Sequence, residues 1–115
     1  MVKIPTTFKA YGFANYGDVL KEAKLNTEVR QKPLKSTQVR VKVVSAAVNP
    51  LDYKLLLYGA VFLPTAPTAD NPFGMGFDTA GIVAEVGSDD VRGLKVGDAV
   101  YGMPDITAGG SFGEY

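Results

Sequence analysis

The chain contains no cysteine and no histidine. Those two absences exclude disulfides, thiolate nucleophiles, Ser-His-Asp triads and the usual zinc ligands. Its 12 basic and 12 acidic residues cancel. Without a net field of either sign, neither nucleic acid nor an anionic membrane surface is expected as a partner. No run approaches the roughly 18 apolar residues of a membrane span. The opening "MVKIPTTFKAYG" has neither a signal-peptide apolar core nor the arginine-rich pattern of a transit peptide. The expected location is the cytoplasm. The absence of cysteine is compatible with a reducing compartment of that kind.

What is present is one domain's worth of chain: 115 residues, 46% of them hydrophobic, enough for one core. There is no internal repeat. The segment from Thr6 to Phe13 has strand-like content and runs into the turn signal "ANYGD". "VLKEAKL", 19–25, fits a strand or a short helix, and "VRQKPLKSTQ", 29–38, reads as a loop around Pro33. "VRVKVVSAAV", 39–48, alternates Val39, Val41 and Val43 against Arg40 and Lys42, as a strand does. "NPLDYKLLLYG", 49–59, predicts a short helix. Asn49 is its N-cap, Pro50 its first residue, Asp52 an acid in its first turn and Gly59 its C-terminal cap. Pro64, Pro67 and Pro72 make 60–75 a loop.

Seven glycines lie between 74 and 102 in a stretch that otherwise reads as apolar strand. "TAGIVAEVG" is the longer strand, and Ala99–Tyr101 follows a turn at Gly97-Asp98. Gly81 sits inside a strand, where glycine marks a bulge or a close backbone approach. Gly87, Gly93, Gly97 and Gly102 fall where strands end. Strands that corner this often predict a small, partly open β-barrel with one or two short helices, a mainly β fold. The run "SDD", 88–90, reads as a solvated turn. "GMGFDT" imitates a dinucleotide fingerprint, but the third glycine is replaced by Thr79 and strand, not helix, follows.

"VKVVSAAVNPLDYK" together with "PFGMGFDTAGIVAEVGSDDVRGLKVGDAVYG" and "GGSFGEY" resembles the N-terminal, GroES-like domain of the medium-chain dehydrogenase/reductase superfamily. Zinc members place a cysteine near Asn49 and Gly-His-Glu at Gly76-Phe77-Asp78. Phe77 occupies the histidine position here. The resemblance therefore points to the zinc-independent quinone oxidoreductases of the zeta-crystallin type, and to the 2-alkenal and enone reductases that share both motifs. It implies a GroES-like barrel over 1–115 and a parent enzyme whose separate Rossmann domain, absent from this chain, binds NADPH. The substrate, a small quinone or enone, would lie between the two. No zinc is implied. The chain is then expected to be a fragment, inactive alone, that self-associates through an uncovered interface. Asn49 and Lys54 are the implied cofactor contacts. Asn49, Asp52, Tyr53 and Asp78 are the implied cleft residues.

Each of these also has a plain structural role. Asn49 and Asp52 are good cap residues, and Asp78 can bond backbone amides or a basic side chain. Tyr53 and Lys54 point about 100° apart on a helix, so at most one serves the cleft. No residue is compelled as proton donor. Two other readings stand beside the reductase: a non-enzymatic binding module of the co-chaperonin kind, and a catalytically silent homologue.

Overall fold

A computed structural model describes residues 3–88, 91–106 and 110–115. Asp89, Asp90 and Gly109, which fall in the "SDD" and "GGSFGEY" stretches, lie outside the described residues. The order is β1 (Thr7–Phe13), α1 (Val19–Glu22), β2 (Lys24–Arg30), β3 (Val39–Ala47), α2 (Pro50–Phe62), β4 (Phe73–Gly74), β5 (Asp78–Val86) and β6 (Ala99–Gly102). They form two three-stranded sheets, β2-β1-β4 and β3-β5-β6. All named pairings are antiparallel.

The last residues stitch the sheets together. The Tyr11 N–H donates to the Phe112 carbonyl at 2.8 Å and the Glu114 N–H to the Lys9 carbonyl at 3.0 Å, both on β1. From β3, the Val43 N–H donates to the Glu114 carbonyl at 2.9 Å. One segment thus carries hydrogen bonds to both sheets, and the two sheets form a partly open barrel.

The core is aromatic and aliphatic: Phe13, Leu55, Leu56, Met75 and Phe77, with Tyr16, Phe73 and Phe112 packed against it. The Phe13 and Phe73 rings stand 5.3 Å apart, and Phe73 and Phe77 6.4 Å. Both separations lie within the range of favourable tilted aromatic pairs. The principal extents, 40 × 24 × 24 Å, leave much apolar surface uncovered.

Four expectations need correction. The ambiguous 19–25 stretch divides into both alternatives: Asp18 caps a one-turn helix through the Leu20 N–H at 3.0 Å, and β2 begins at Lys24. The loop expected from residue 29 starts after Arg30. The 60–75 loop is bounded by α2, which takes 60–62, and interrupted by β4 at Phe73–Gly74. Gly59 does not end α2, because the cap is Leu63, whose N–H reaches the Gly59 carbonyl at 2.7 Å. Gly59 instead makes room for a ring. A Cβ there would lie 2.6 Å from Tyr16 Cε1.

Gly81 behaves as the sequence suggests. It lies opposite Val43 beside a register shift, and a Cβ would stand 2.1 Å from the Lys42 carbonyl oxygen. β3 and β5 could not approach this closely with any side chain there.

Candidate functional site at the start of α2

Strand register builds the site. β3 and β5 pair so that Ala47, the last residue of β3, faces Asp78, the first of β5. The chain leaving β3 turns into α2 two residues later, which puts Asn49 beside Asp78. Asn49 is in extended conformation, φ −132° and ψ 158°, and Pro50 opens the helix. This is the N-cap geometry expected from the sequence.

Asn49 is bracketed by two carboxylates. Its backbone N–H donates to Asp52 Oδ2 at 2.6 Å, and the Asp52 N–H returns to the Asn49 carbonyl at 3.0 Å. Its side-chain Nδ2 donates to Asp78 Oδ2. A carboxylate can only accept, so this bond also fixes which way the amide faces. The partner of Asp78 is thus a side-chain amide, where the sequence suggested backbone or a basic residue. One amide proton of Asn49 is committed, leaving its second N–H and its oxygen as polar capacity.

Asp52 is buried at 6% exposure, and its Oδ1 has no hydrogen-bond partner among the described residues. Burial pushes its carboxyl above the ordinary aspartate range. The bond from the Asn49 N–H opposes that shift, and the negative charge of Asp78 adds to it. The neighbouring Thr79 Oγ1 is likewise buried without a partner.

Tyr53 and Lys54 diverge. Tyr53 is 44% exposed and is not among the residues that line the groove beside α2. Lys54 lies in an open groove of about 610 Å³ along α2, with Leu51, Leu55, Tyr58, Val61 and Phe62. Sequence reasoning missed these apolar residues as a group. The available signal was a helix with apolar residues on every side, which requires cover on more than its core face. Ending the helix at Gly59 hid that signal.

Phe77, at the position of a zinc-ligand histidine, is 4% exposed and belongs to the core cluster. Among the described residues, no group of three or more His, Cys, Asp or Glu side chains is placed to hold a metal ion. Gly74-Met75-Gly76 leads into strand β5, so the run that imitates a phosphate loop has no helix N-terminus to offer a pyrophosphate. No helix among the described residues is long and apolar enough to cross a membrane.

The chain is similar to 2-methylene-furan-3-one reductase of Solanum lycopersicum, 43% identical over 103 residues, covering 88% of this chain and 24% of that protein. It is 41% identical over 100 residues to the chloroplastic NADPH-dependent alkenal/one oxidoreductase of Arabidopsis thaliana, covering 85% and 24%. It thus spans about a quarter of the length of these curated relatives. Among solved structures, the quinone oxidoreductase from Coxiella burnetii superposes with a TM-score of 0.75 at 29% identity, covering 93% of this chain and 33% of that one. Residues 35–115, which hold β3, α2, β5, β6 and the Asn49–Asp78 site, match the alcohol dehydrogenase GroES-like domain. The chain therefore belongs to the alcohol dehydrogenase GroES-like domain family of the medium-chain dehydrogenase/reductase superfamily.

Proposed function

We propose that this chain forms the substrate-side domain of a zinc-independent, NADPH-dependent reductase of conjugated carbonyl compounds, enones and 2-alkenals first, quinones second. The observation that carries the reading is Asn49, bonded to Asp52 and Asp78 at the mouth of α2, with Phe77 in the core where a zinc enzyme needs a ligand. The names of the two plant relatives support the enone and alkenal classes, and that of the Coxiella burnetii structure supports quinones.

When bound, NADPH supplies a hydride to the electron-poor carbon of the substrate. The cofactor phosphates would be held by a separate Rossmann domain of the parent enzyme. Asn49 would turn its oxygen or second N–H toward the nicotinamide amide or ribose. Lys54 would set an ammonium beside the cofactor or the substrate oxygen, where enolate charge develops. Asp52 and Asp78 hold Asn49 in place at the cleft. Of the adjacent pair, Lys54 takes the polar role, and Tyr53 contributes only to a ligand that reaches around the helix.

We further infer that the 115-residue chain is inactive by itself, self-associates through its uncovered apolar face and works in the cytoplasm. The test is a substrate panel. The full-length protein, given NADPH, should reduce vinyl ketones and 2-alkenals, keep its activity after chelator treatment, and lose at least tenfold in kcat/KM on Lys54→Met. Turnover of simple alcohols with zinc dependence would refute it.

A further inference from the structure

Two stretches of chain cross just ahead of the site. Residues 110–112 run against Met75 and Gly76, the approach to β5. The Phe112 N–H donates to the Met75 carbonyl at 2.9 Å and the Ser111 N–H to the Gly76 carbonyl at 3.1 Å. Ser111 is 3% exposed, so the crossing is packed interior. Glycine on each side permits the approach. A Cβ on Gly110 would stand 1.9 Å from the Met75 carbonyl oxygen, and one on Gly76 2.8 Å from the Phe112 nitrogen. Both obstacles are backbone atoms, which cannot swing aside as the end of a side chain does. Gly76 also holds φ +96°, a conformation that L side chains rarely adopt.

We propose that residues 110–112 are a positioning element for the candidate site: they fix the backbone at Gly76, and through it the aim of Asp78 and the orientation of the Asn49 amide. The inference rests on the reductase reading and adds to it residues that touch neither substrate nor cofactor. Asp78 lies two residues beyond Gly76. Phe77 between them is locked in the core at 4% exposure. A close-packed interior passes a displacement on and does not absorb it, so a shift at Gly76 reaches the carboxylate of Asp78. That carboxylate accepts from Asn49 Nδ2 and is the amide's hydrogen-bond partner among the described residues. The other tether of Asn49, its N–H to Asp52, holds the backbone and leaves the side-chain amide free to turn. β1 grips the same approach earlier, at Gly74 and Met75. Ser111 bonds Gly76 itself, which makes 110–112 the grip nearer to Asp78.

The experiment uses the full-length protein, NADPH and a vinyl ketone, with the Asn49 side-chain amide followed by NMR. Gly110→Ala should shift the Asn49 amide signal away from its carboxylate-bonded position and lower kcat/KM about tenfold, a loss within the range that a small misplacement causes. Gly113→Ala is the control. It strains the same segment against β1, where a Cβ would stand 2.6 Å from Ala10 Cβ. It should lower the melting temperature comparably, yet leave the amide signal in place and kcat/KM within about twofold of wild type. In an Asn49→Ala background, Gly110→Ala should cost less than about twofold more, because the bond it acts through is already gone. Should Gly110→Ala not fold, Ser111→Thr, which adds one carbon at the same crossing, carries the same test. Equal losses of activity from Gly110→Ala and Gly113→Ala, or losses that multiply in the double variant, overturn the proposal, since the segment then contributes stability alone. No turnover by the wild-type protein defeats the reductase reading itself, and the Asn49 amide signal in the two glycine variants then decides the positioning role.

Discussion

Removing either partner of the Asn49–Asp78 bond separates a designed contact from an incidental one. The bond joins a carboxylate at the start of β5 to the residue that opens α2. Hydrogen bonds to charged groups contribute about 1.5–3 kcal/mol where nothing replaces the lost partner. Both residues are only half-buried, so water can take part of that role. The expected value falls to about 1 kcal/mol. The two single variants should not cost the same. Asn49→Ala loses the bond and leaves Asp78 beside a buried Asp52 with no amide between them. Asp78→Ala also loses the bond, but it removes a negative charge that disfavours ionised Asp52, which offsets part of the loss. Asn49→Ala should therefore cost about 1–2 kcal/mol and Asp78→Ala about half of that. The double variant should cost less than their sum by about 1 kcal/mol. Urea unfolding followed by circular dichroism and by the six tyrosines measures all three. Additivity within about 0.3 kcal/mol would show that the pair does not interact in solution, and the site would lose its link between the sheet and α2.

The remaining predictions concern Asp52 and Gly81. The raised Asp52 carboxyl binds its proton more tightly in the folded chain than in the unfolded one. The folded state therefore carries more protons just above the ordinary aspartate value, and stability falls as pH rises through that window. Asp52→Asn removes this loss and can still accept the Asn49 N–H. Its stability relative to wild type should improve from about pH 4 upward, reaching its full difference by neutrality. A difference independent of pH would mean that Asp52 titrates normally. Gly81→Ala places a methyl against the Lys42 carbonyl, a backbone atom held by the ladder. The predicted loss is about 1–3 kcal/mol or more, with hydrogen-exchange protection falling first at Lys42 to Ser45. A neutral outcome would refute the close approach of β3 and β5 at Gly81.

Much of the frame is legible in the sequence. Val39, Val41 and Val43 announced β3, and Asn49-Pro50 with Asp52 announced the start of α2. The glycine punctuation located β5 and β6, since Gly87 follows one and Gly102 closes the other. What escaped depends on long-range neighbours. α1 and β2 are exposed along most of their length, so no hydrophobic period distinguishes helix from strand there. The end of α2 was misplaced because Gly59 serves Tyr16, more than 40 residues away, and local propensity cannot register that contact. Alternation puts Arg40 with Lys42 on the face of β3 opposite the valines, which alone would leave it in solvent. It is instead half-buried, pairs with Glu85 at 3.2 Å and donates to the Lys32 carbonyl at 2.6 Å. The meeting of Asn49 and Asp78 follows from strand register, which periodicity constrains only when turns are known. Asn49, Asp52 and Asp78 stand out in the sequence as cap and motif residues; their mutual hydrogen bonds and the apolar groove along α2 do not.

The most direct test of the reductase account follows the hydride. Full-length protein would be given NADPH deuterated at the reactive nicotinamide carbon together with a vinyl ketone, and the product examined by mass spectrometry and NMR. The account predicts a single deuterium on the carbon β to the carbonyl, transferred without chelator sensitivity and much more slowly in Lys54→Met. Deuterium on the carbonyl carbon, giving an alcohol, or no transfer to either position, would contradict it.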